Sequence, residues 1–405
     1  MGEIMCERWV EATLRDVATL RGGYAFKSAT YSSTGRYRVI TIGNVQSGYF
    51  DISATNCVDE IPNDLQKHQR LLKGDILVSM TGNVGRTCLV DRDDCLLNQR
   101  VGKLEPRNAV TAQYLYWLLH LPWLINTLTM RAKGGAQGNI SVNDVLSLPV
   151  KVAPLPEQHR IVDLMGAVDA YVAAADARVE AARTARTALL TDLLSTPGDD
   201  WAETTLGEVC AFAGGYAFSD RFQGANSGEV PFFKVSDMNT LGNELILTSA
   251  NNWVSETVLK EMRAKAWPPG TVVFPKVGAA LLTEKRRALG CRAAFDNNVM
   301  GVIAGDQVLP EFLLAFMQSV RLGSLAQIGA VPSVNQSHVA SVPLVLPPLP
   351  EQLRIVDLVG AVDGEIETSE KLAAEARTLR TALLTDLLSG THEIPSSYDR
   401  LLEAA

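Results

Sequence analysis

The sequence predicts an α+β protein with two domains of short strands and helices, separated by a pair of long, antiparallel, coiled-coil-like helices and related by a pseudo-two-fold internal repeat. Three observations predict it. Residues 9–26, WVEATLRDVATLRGGYAF, recur at 201–218 as WAETTLGEVCAFAGGYAF. Residues 154–195, PLPEQHRIVDLMGAVDAYVAAADARVEAARTARTALLTDLLS, recur without a gap at 348–389 as PLPEQLRIVDLVGAVDGEIETSEKLAAEARTLRTALLTDLLS. Between these matching ends the inserts are similar in length and differ at almost every position, which is the signature of a duplication whose framework was kept.

The first domain spans residues 1–153. Within it residues 37–42, 75–79 and 87–90 are rich in β-branched side chains and bounded by glycine or polar turns, so they predict short strands. A glycine-bearing turn, MTGNVGRT, follows the second of these, and one helix is expected at residues 112–130. Residues 154–196 form the first spacer helix. Pro156 suits a first helical turn, Glu157 suits its positive end, and no further proline occurs until Pro197.

Apolar residues at Ile161, Leu164, Val168, Tyr171, Ala175, Val179, Ala182, Leu189 and Leu193 recur every three or four positions and make one stripe. The second domain, residues 197–347, repeats the plan with strands at 230–235 and 271–274, a turn in KVGAA, and a helix at 310–328. Residues 348–405 hold the second spacer helix and a tail with a short closing helix at 398–402. Here the stripe is Ile355, Leu358, Val362, Ile366, Leu372, Leu379, Leu383 and Leu387. Some 39 helical residues extend about 60 Å, and two such helices can bury their stripes against each other as an antiparallel pair.

Composition narrows the class. The chain is 47% hydrophobic and 20% charged, and the richest apolar stretch, residues 114–125, is broken by His120 and Pro122, so no membrane span is expected. No secretion signal is visible at the N-terminus, which predicts a soluble cytoplasmic protein. Cys6, Cys57, Cys88, Cys95, Cys210 and Cys291 are scattered without metal-ligand spacing and are expected to be reduced and mostly buried. The net charge of −8 argues at first against a polyanionic partner. Yet the two helical segments from Glu157 and from Glu351 onward carry deficits that account for all of it, so the domains are neutral and free to hold local basic patches.

Catalytic parts are missing from the sequence. No NPPY-like tetrapeptide of the kind that holds a flipped adenine is present, no P-loop, HExxH or GxSxG, and His68, His120, His159, His338 and His392 are isolated from one another. A non-catalytic chain without a metal site is expected.

These residues resemble the specificity subunit of type I restriction-modification systems. The resemblance covers nearly the whole chain and rests on the two PLPEQ-led helices closing in TALLTDLL, the two openings ending GGYAF, and KGDILVSMTGNVG and PPGTVVFPKVGAA at matching places. It implies two target-recognition domains, each reading one half of a split, asymmetric double-stranded DNA site. Helices of this family would set the spacer, some six to eight base pairs, and dock two methyltransferase subunits. Those subunits would bind S-adenosylmethionine and methylate adenine at N6. Motor-nuclease subunits, using ATP and Mg, would join the complex.

Base reading needs paired donors and acceptors, which arginine and lysine offer to guanine and asparagine and glutamine to adenine. In the first insert Asn83 and Arg86 lie on the glycine-rich turn, Asn98, Gln99 and Arg100 form a polar run, and Gln137 and Asn139 follow in KGGAQGNIS. The alternative is that they satisfy their own turns. In the second insert the candidates are Lys234, Lys276, Asn297 and Asn298, with Lys285, Arg286 and Arg287 as the densest basic cluster, which on its own is more often a solvated turn and which the resemblance favours as DNA-contacting. Tyr24 and Tyr216 of the repeated GGYAF either touch the DNA backbone or pack beneath the first strand. Ile161, Leu164, Val168, Leu189, Leu193, Ile355, Leu358, Val362, Leu383 and Leu387 are the candidates for helix packing and subunit docking. Two other readings stand beside this one: a non-catalytic adaptor whose two heads bind a ligand other than DNA, and an enzyme whose groups converge from afar.

Overall fold

A computed structural model describes residues 8–107, 110–132, 138–327, 329 and 331–399. The chain divides into two compact units, one combining Met1–Asp176 with Leu372–Ala405 and the other Ala177–Lys371. Each unit therefore holds one head and one part of each long helix.

In the first unit the strand Val10–Thr13 pairs antiparallel with Pro149–Val152. A one-turn helix, Leu14–Val17, follows, opened by a capping box in which Asp16 accepts the Thr13 backbone N–H at 2.8 Å. Ala18–Gly22 then enters a four-stranded antiparallel sheet with Val101–Pro106, Ile76–Ser79 and Thr87–Leu89. A second sheet sets Tyr37–Ile40 parallel to Cys95–Leu97, with Asn56–Val58 and Arg70–Leu71 on its edges. Strands expected from β-branched runs fall where the sequence places them, within one or two residues.

The second unit repeats this plan. Ala202–Thr205 pairs with Pro343–Leu346, the turn of helix Leu206–Val209 follows, and Cys210–Gly214, Val299–Ala304, Val272–Pro275 and Arg287–Leu289 lie side by side in the same order. Val230–Phe233 runs parallel to Ala294–Phe295, as its counterpart does.

The head helices differ from expectation. In the first unit the single helix expected at 112–130 is two, Ala112–Leu118 and Pro122–Ala132, because Pro122 lacks the N–H that a continuous helix needs and opens a new one instead. In the second unit Pro310–Ser319 stops early and a 3₁₀ turn, Leu322–Leu325, follows, while Ile328 lies outside the described residues. Tyr114, Leu115 and Leu118 are fully buried in one head, Phe274 and Phe312 in the other. Each such side chain contributes about 1.5–3 kcal/mol by leaving water.

The long helices run Leu155–Ser195 and Leu349–Leu388. In the first unit their parts are antiparallel, with Asp176 paired to Arg377 at 2.5 Å and Asp169 to Arg380, and with Ile161 and Met165 in one core with Leu384 and Leu388. In the second unit Arg178 pairs with Glu365 at 2.5 Å, Arg183 with Glu370 at 2.6 Å and Arg186 with Asp363, while Leu190 shares a core with Ile355 and Val359.

The apolar stripe is narrower than the spacing suggested. Ile161, Ala175 and Val179 are buried, and Leu164, Val168, Ala182, Leu189 and Leu193 half-buried, but Tyr171 is 52% exposed. On the second helix Ile355 and Leu387 are buried and Val362 and Leu383 half-buried, whereas Leu358 and Leu379 face water. Small residues explain this. Ala175, Ser369, Ala373 and Ala376 are buried, so the seam is made by residues with little bulk to either side, and larger side chains one step off it stay outside.

The repeated glutamine of PLPEQ is a structural tie in both units. Gln158 donates to the Ala153 carbonyl at 2.9 Å and accepts from the Thr111 N–H at 3.0 Å. Gln352 donates to the Pro347 and Gln307 carbonyls, each at 2.8 Å, and accepts from the Leu309 N–H at 2.8 Å. Each fixes the start of a long helix to the head beside it. The tail adds a tie in the first unit alone. Ile394 donates its N–H to Glu157 at 2.7 Å, Arg160 holds Asp399 through two 2.7 Å bonds, and the Tyr398 hydroxyl donates to Asp163 at 2.7 Å. Of the closing helix expected at 398–402, a 3₁₀ turn at Ser396–Tyr398 is described and residues 400–405 lie outside.

Among the described residues no helix is long and apolar enough to cross a membrane. Cys57, Cys88 and Cys95 are buried free thiols, the last two pushed up to about 12 by burial, while Cys291 is exposed and Cys6 lies outside.

Candidate nucleic-acid interface

Three separate segments of the first unit meet at one end of its strands. The first is the turn joining Cys95–Leu97 to Val101–Pro106. Asn98 accepts the Val101 N–H on its carbonyl at 2.9 Å and the Arg100 N–H on its side chain at 3.2 Å, which makes an Asx-stabilised β-turn with Gln99 and Arg100 at its tip. The second is the glycine-rich turn after Ile76–Ser79, in which the Met80 N–H donates to the Arg100 carbonyl at 3.1 Å. Gly82 and Gly85 have φ of +75° and +82°, a left-handed backbone that a side chain would strain. The third is residues 138–140, where the Gly138 carbonyl accepts from Gly82 at 2.7 Å and the Ile140 N–H donates to Met80 at 2.9 Å.

The second unit builds the same frame bond for bond. Asp296 accepts the Val299 N–H at 3.1 Å on its carbonyl and the Asn298 N–H at 3.0 Å on its carboxylate. Lys276 donates its N–H to the Asn298 carbonyl at 2.8 Å, Val334 to Lys276 at 2.9 Å, and Gly278, again at φ +75°, to Pro332 at 2.8 Å. In both units the GGYAF segment lies against the turn, through bridges of Tyr24 with Asn98 and Tyr216 with Asp296.

Polar side chains are left outside this frame. Asn83, Gln99, Arg100 and Asn139 are exposed in the first unit, and Asn139 accepts from the Thr81 hydroxyl at 3.0 Å. Arg86 is half-buried and donates to Gln46 at 2.6 Å, on the wall of a groove shared with Ile125 and Thr129. Asn297 and Asn298 are exposed in the second unit and Lys276 half-buried beside them. The sequence candidates 83, 100 and 139 are thus gathered from three segments, as are 276, 297 and 298 from two. Gln137 lies outside the described residues.

Other candidates are placed elsewhere. Asn98 is 7% exposed and donates to the Tyr31 hydroxyl at 3.3 Å, so it belongs to the frame of the turn. Tyr24 is half-buried, and its hydroxyl donates to Asp64 at 2.8 Å, which raises the phenol's pKa. Tyr216 packs on a cluster holding Phe232 and Leu259. Lys234 is half-buried and donates to Gln223 at 3.1 Å.

The basic run at 285–287 is not the exposed cluster its density suggested. Arg286 is 4% exposed, donates to the Glu284 carbonyl at 2.6 Å, and has its pKa lowered by burial, against which the nearby Glu284 acts. Arg287 donates to the Arg286 carbonyl at 2.8 Å and Lys285 to Asn239. Arg286 pairs with Glu284 of its own loop at 2.6 Å, while Lys285 and Arg287 reach the 238–239 segment, Arg287 donating to the Met238 carbonyl at 3.3 Å; Glu284 itself, at φ 54°, caps Leu322 and Gly323. Sequence reasoning passed over Thr81, whose counterpart in the second frame is Val277, and Ser333, whose counterpart in the first is Asn139.

A duplicated, helix-mounted α+β head that presents amide and guanidinium groups on glycine-rich turns is the architecture of a two-headed recognition protein. The family model described as type I restriction modification DNA specificity domain matches residues 6–179 and 198–376, and the chain belongs to that family: it is a DNA sequence-recognition subunit of a type I restriction-modification system. Among similar proteins, the StySPI type I restriction enzyme specificity subunit of Salmonella potsdam is 21% identical, covering 95% of this chain and 88% of its own. The crystal structure of a type I restriction-modification S subunit from M. genitalium shares the fold at a TM-score of 0.51 and 15% identity, over 94% of this chain and 96% of that one. A chain solved in work on complex assembly and conformational transition of the type I system aligns at a TM-score of 0.62 and 19% identity, over 95% and 98%.

Proposed function

We propose that each unit reads one half of a bipartite, asymmetric DNA site, and that the paired helices set the number of unread bases and dock two adenine-N6 methyltransferase subunits. The chain supplies no catalytic group of its own in this reading. S-adenosylmethionine is bound by the methyltransferases, and ATP and Mg by motor-nuclease subunits where these join, in the cytoplasm. One observation carries the reading: an identical backbone frame recurs in both units with different side chains at its tips, which is what two readers of different half-sites require. Leu349, Leu353 and Leu358 on one long helix, and Tyr171 on the other, are apolar and exposed, and give docking subunits something to bury.

Co-expression with its methyltransferase subunit in a methylation-free host, followed by single-molecule detection of modified adenine, tests this. One split motif, unlike in its halves and methylated once per strand, is the expected result. A palindromic motif would sink the two-reader reading, and a stable complex without salt-dependent DNA affinity would favour an adaptor.

A further inference from the structure

The two frames allow a residue-by-residue comparison that the sequence, with its diverged inserts, does not. Arg100 and Asn298 occupy one position of the same Asx-stabilised turn. Both N–H groups donate to the side chain two residues earlier, and both carbonyls accept from the residue that opens the neighbouring turn, at 3.1 and 2.8 Å. These backbone-level restraints hold each Cα, so the two side chains leave equivalent backbones into solvent. Their chemistry differs. Arg100 has five donors and no acceptor, and among the described residues its guanidinium makes no hydrogen bond or ion pair. Asn298 carries one acceptor and two donors, and its side chain interacts with the Asp296 carboxylate.

We propose that these turn tips are equivalent specificity-determining positions, Arg100 reading guanine and Asn298 reading adenine. Guanine offers N7 and O6, two acceptors matched to a guanidinium, whereas adenine offers an acceptor and a donor matched to an amide. The half-site of the first unit then carries guanine at the position where that of the second carries adenine. Gln99 and Asn297, beside them, are both amides and do not distinguish the halves. This rests on each unit binding a DNA half-site, as proposed above.

The test is the methylated motif of three complexes, wild type, R100N and N298R, with melting temperature measured for each. In R100N one half-site stays as it was. At one position of the other, methylation of guanine sites falls on the order of ten- to a hundredfold and adenine becomes accepted. N298R makes the reverse change, in the half-site that R100N leaves alone. If R100N melts early, R100A replaces it, and the expected result is loss of discrimination at that one position. An unchanged motif overturns the proposal, and so does a loss of methylation spread evenly over all sequences, which marks a phosphate anchor. If the wild-type complex methylates no split motif, the two-reader reading itself has failed and this proposal falls with it.

Discussion

Gly23 and Gly215 show how much a single repeated residue can hide. A Cβ on Gly23 would lie 2.3 Å from the Asn98 carbonyl oxygen, and one on Gly215 only 1.8 Å from that of Asp296. No side chain fits there, because the first strand's exit lies directly on the turn that carries the exposed tip residues. The repeat makes GGYAF visible, but its reason is a tertiary contact 75 residues away in one copy and 81 in the other, which no local pattern encodes. Gly215→Ala must push the 296–298 turn aside, so a loss of about 1–3 kcal/mol is expected in denaturant unfolding of the chain, with altered amide exchange at 294–299. Unchanged stability would mean the turn yields freely. For the same reason Asn98 and Arg286 are unreadable from sequence: residue type alone cannot tell an outward polar group from one that frames a turn.

Elements are more legible than their ends. Strand positions, the long helices and their antiparallel pairing follow from periodicity and repetition, which report on several residues at once. Two details do not. Period alone leaves the stripe's phase loose by one position, so it puts Tyr171 and Leu379 inside and overlooks Met165 and Leu190. The tail's role is invisible as well, since its partners Glu157, Arg160 and Asp163 lie more than 230 residues earlier. Releasing the tail should loosen the first helix's start. For the pair I394A and D399N, an apolar side chain 8% exposed and a bidentate ion-pair partner are lost. Loss of the Ile394 side chain alone is expected to destabilise by about 2–4 kcal/mol, and the pair together should bring faster amide exchange at 157–163. Tyr398, whose phenol is raised to about 12 by burial and by its bond to Asp163, should then titrate nearer 10. A Tyr398 that stays high in this variant would show the tail is held by other contacts.

For the molecule as a whole, duplication is the most informative feature, because it separates what both copies need from what each copy does alone. The kept parts are the framework: GGYAF against the turn, PLPEQ against the head, and the helix seam. The changed parts are the tips, where function that differs between halves has to lie. Under the two-reader proposal the kept helices act as a ruler, and rulers can be lengthened. Four residues inserted at matching places in both helices add about 6 Å, close to two base-pair steps of about 3.4 Å, and rotate the helix beyond the insertion by about 40°. The methylated motif should keep both half-sites and gain one or two unread bases between them. Insertion between Asp169 and Arg186 in one helix alone leaves the Arg186–Asp363 and Arg380–Asp169 pairs unable to form together, so that complex should methylate poorly at any spacing. If the doubly lengthened chain methylated the original motif at the original spacing, the helices would not be what sets the distance, and the heads would have to be linked to the DNA by some more compliant path.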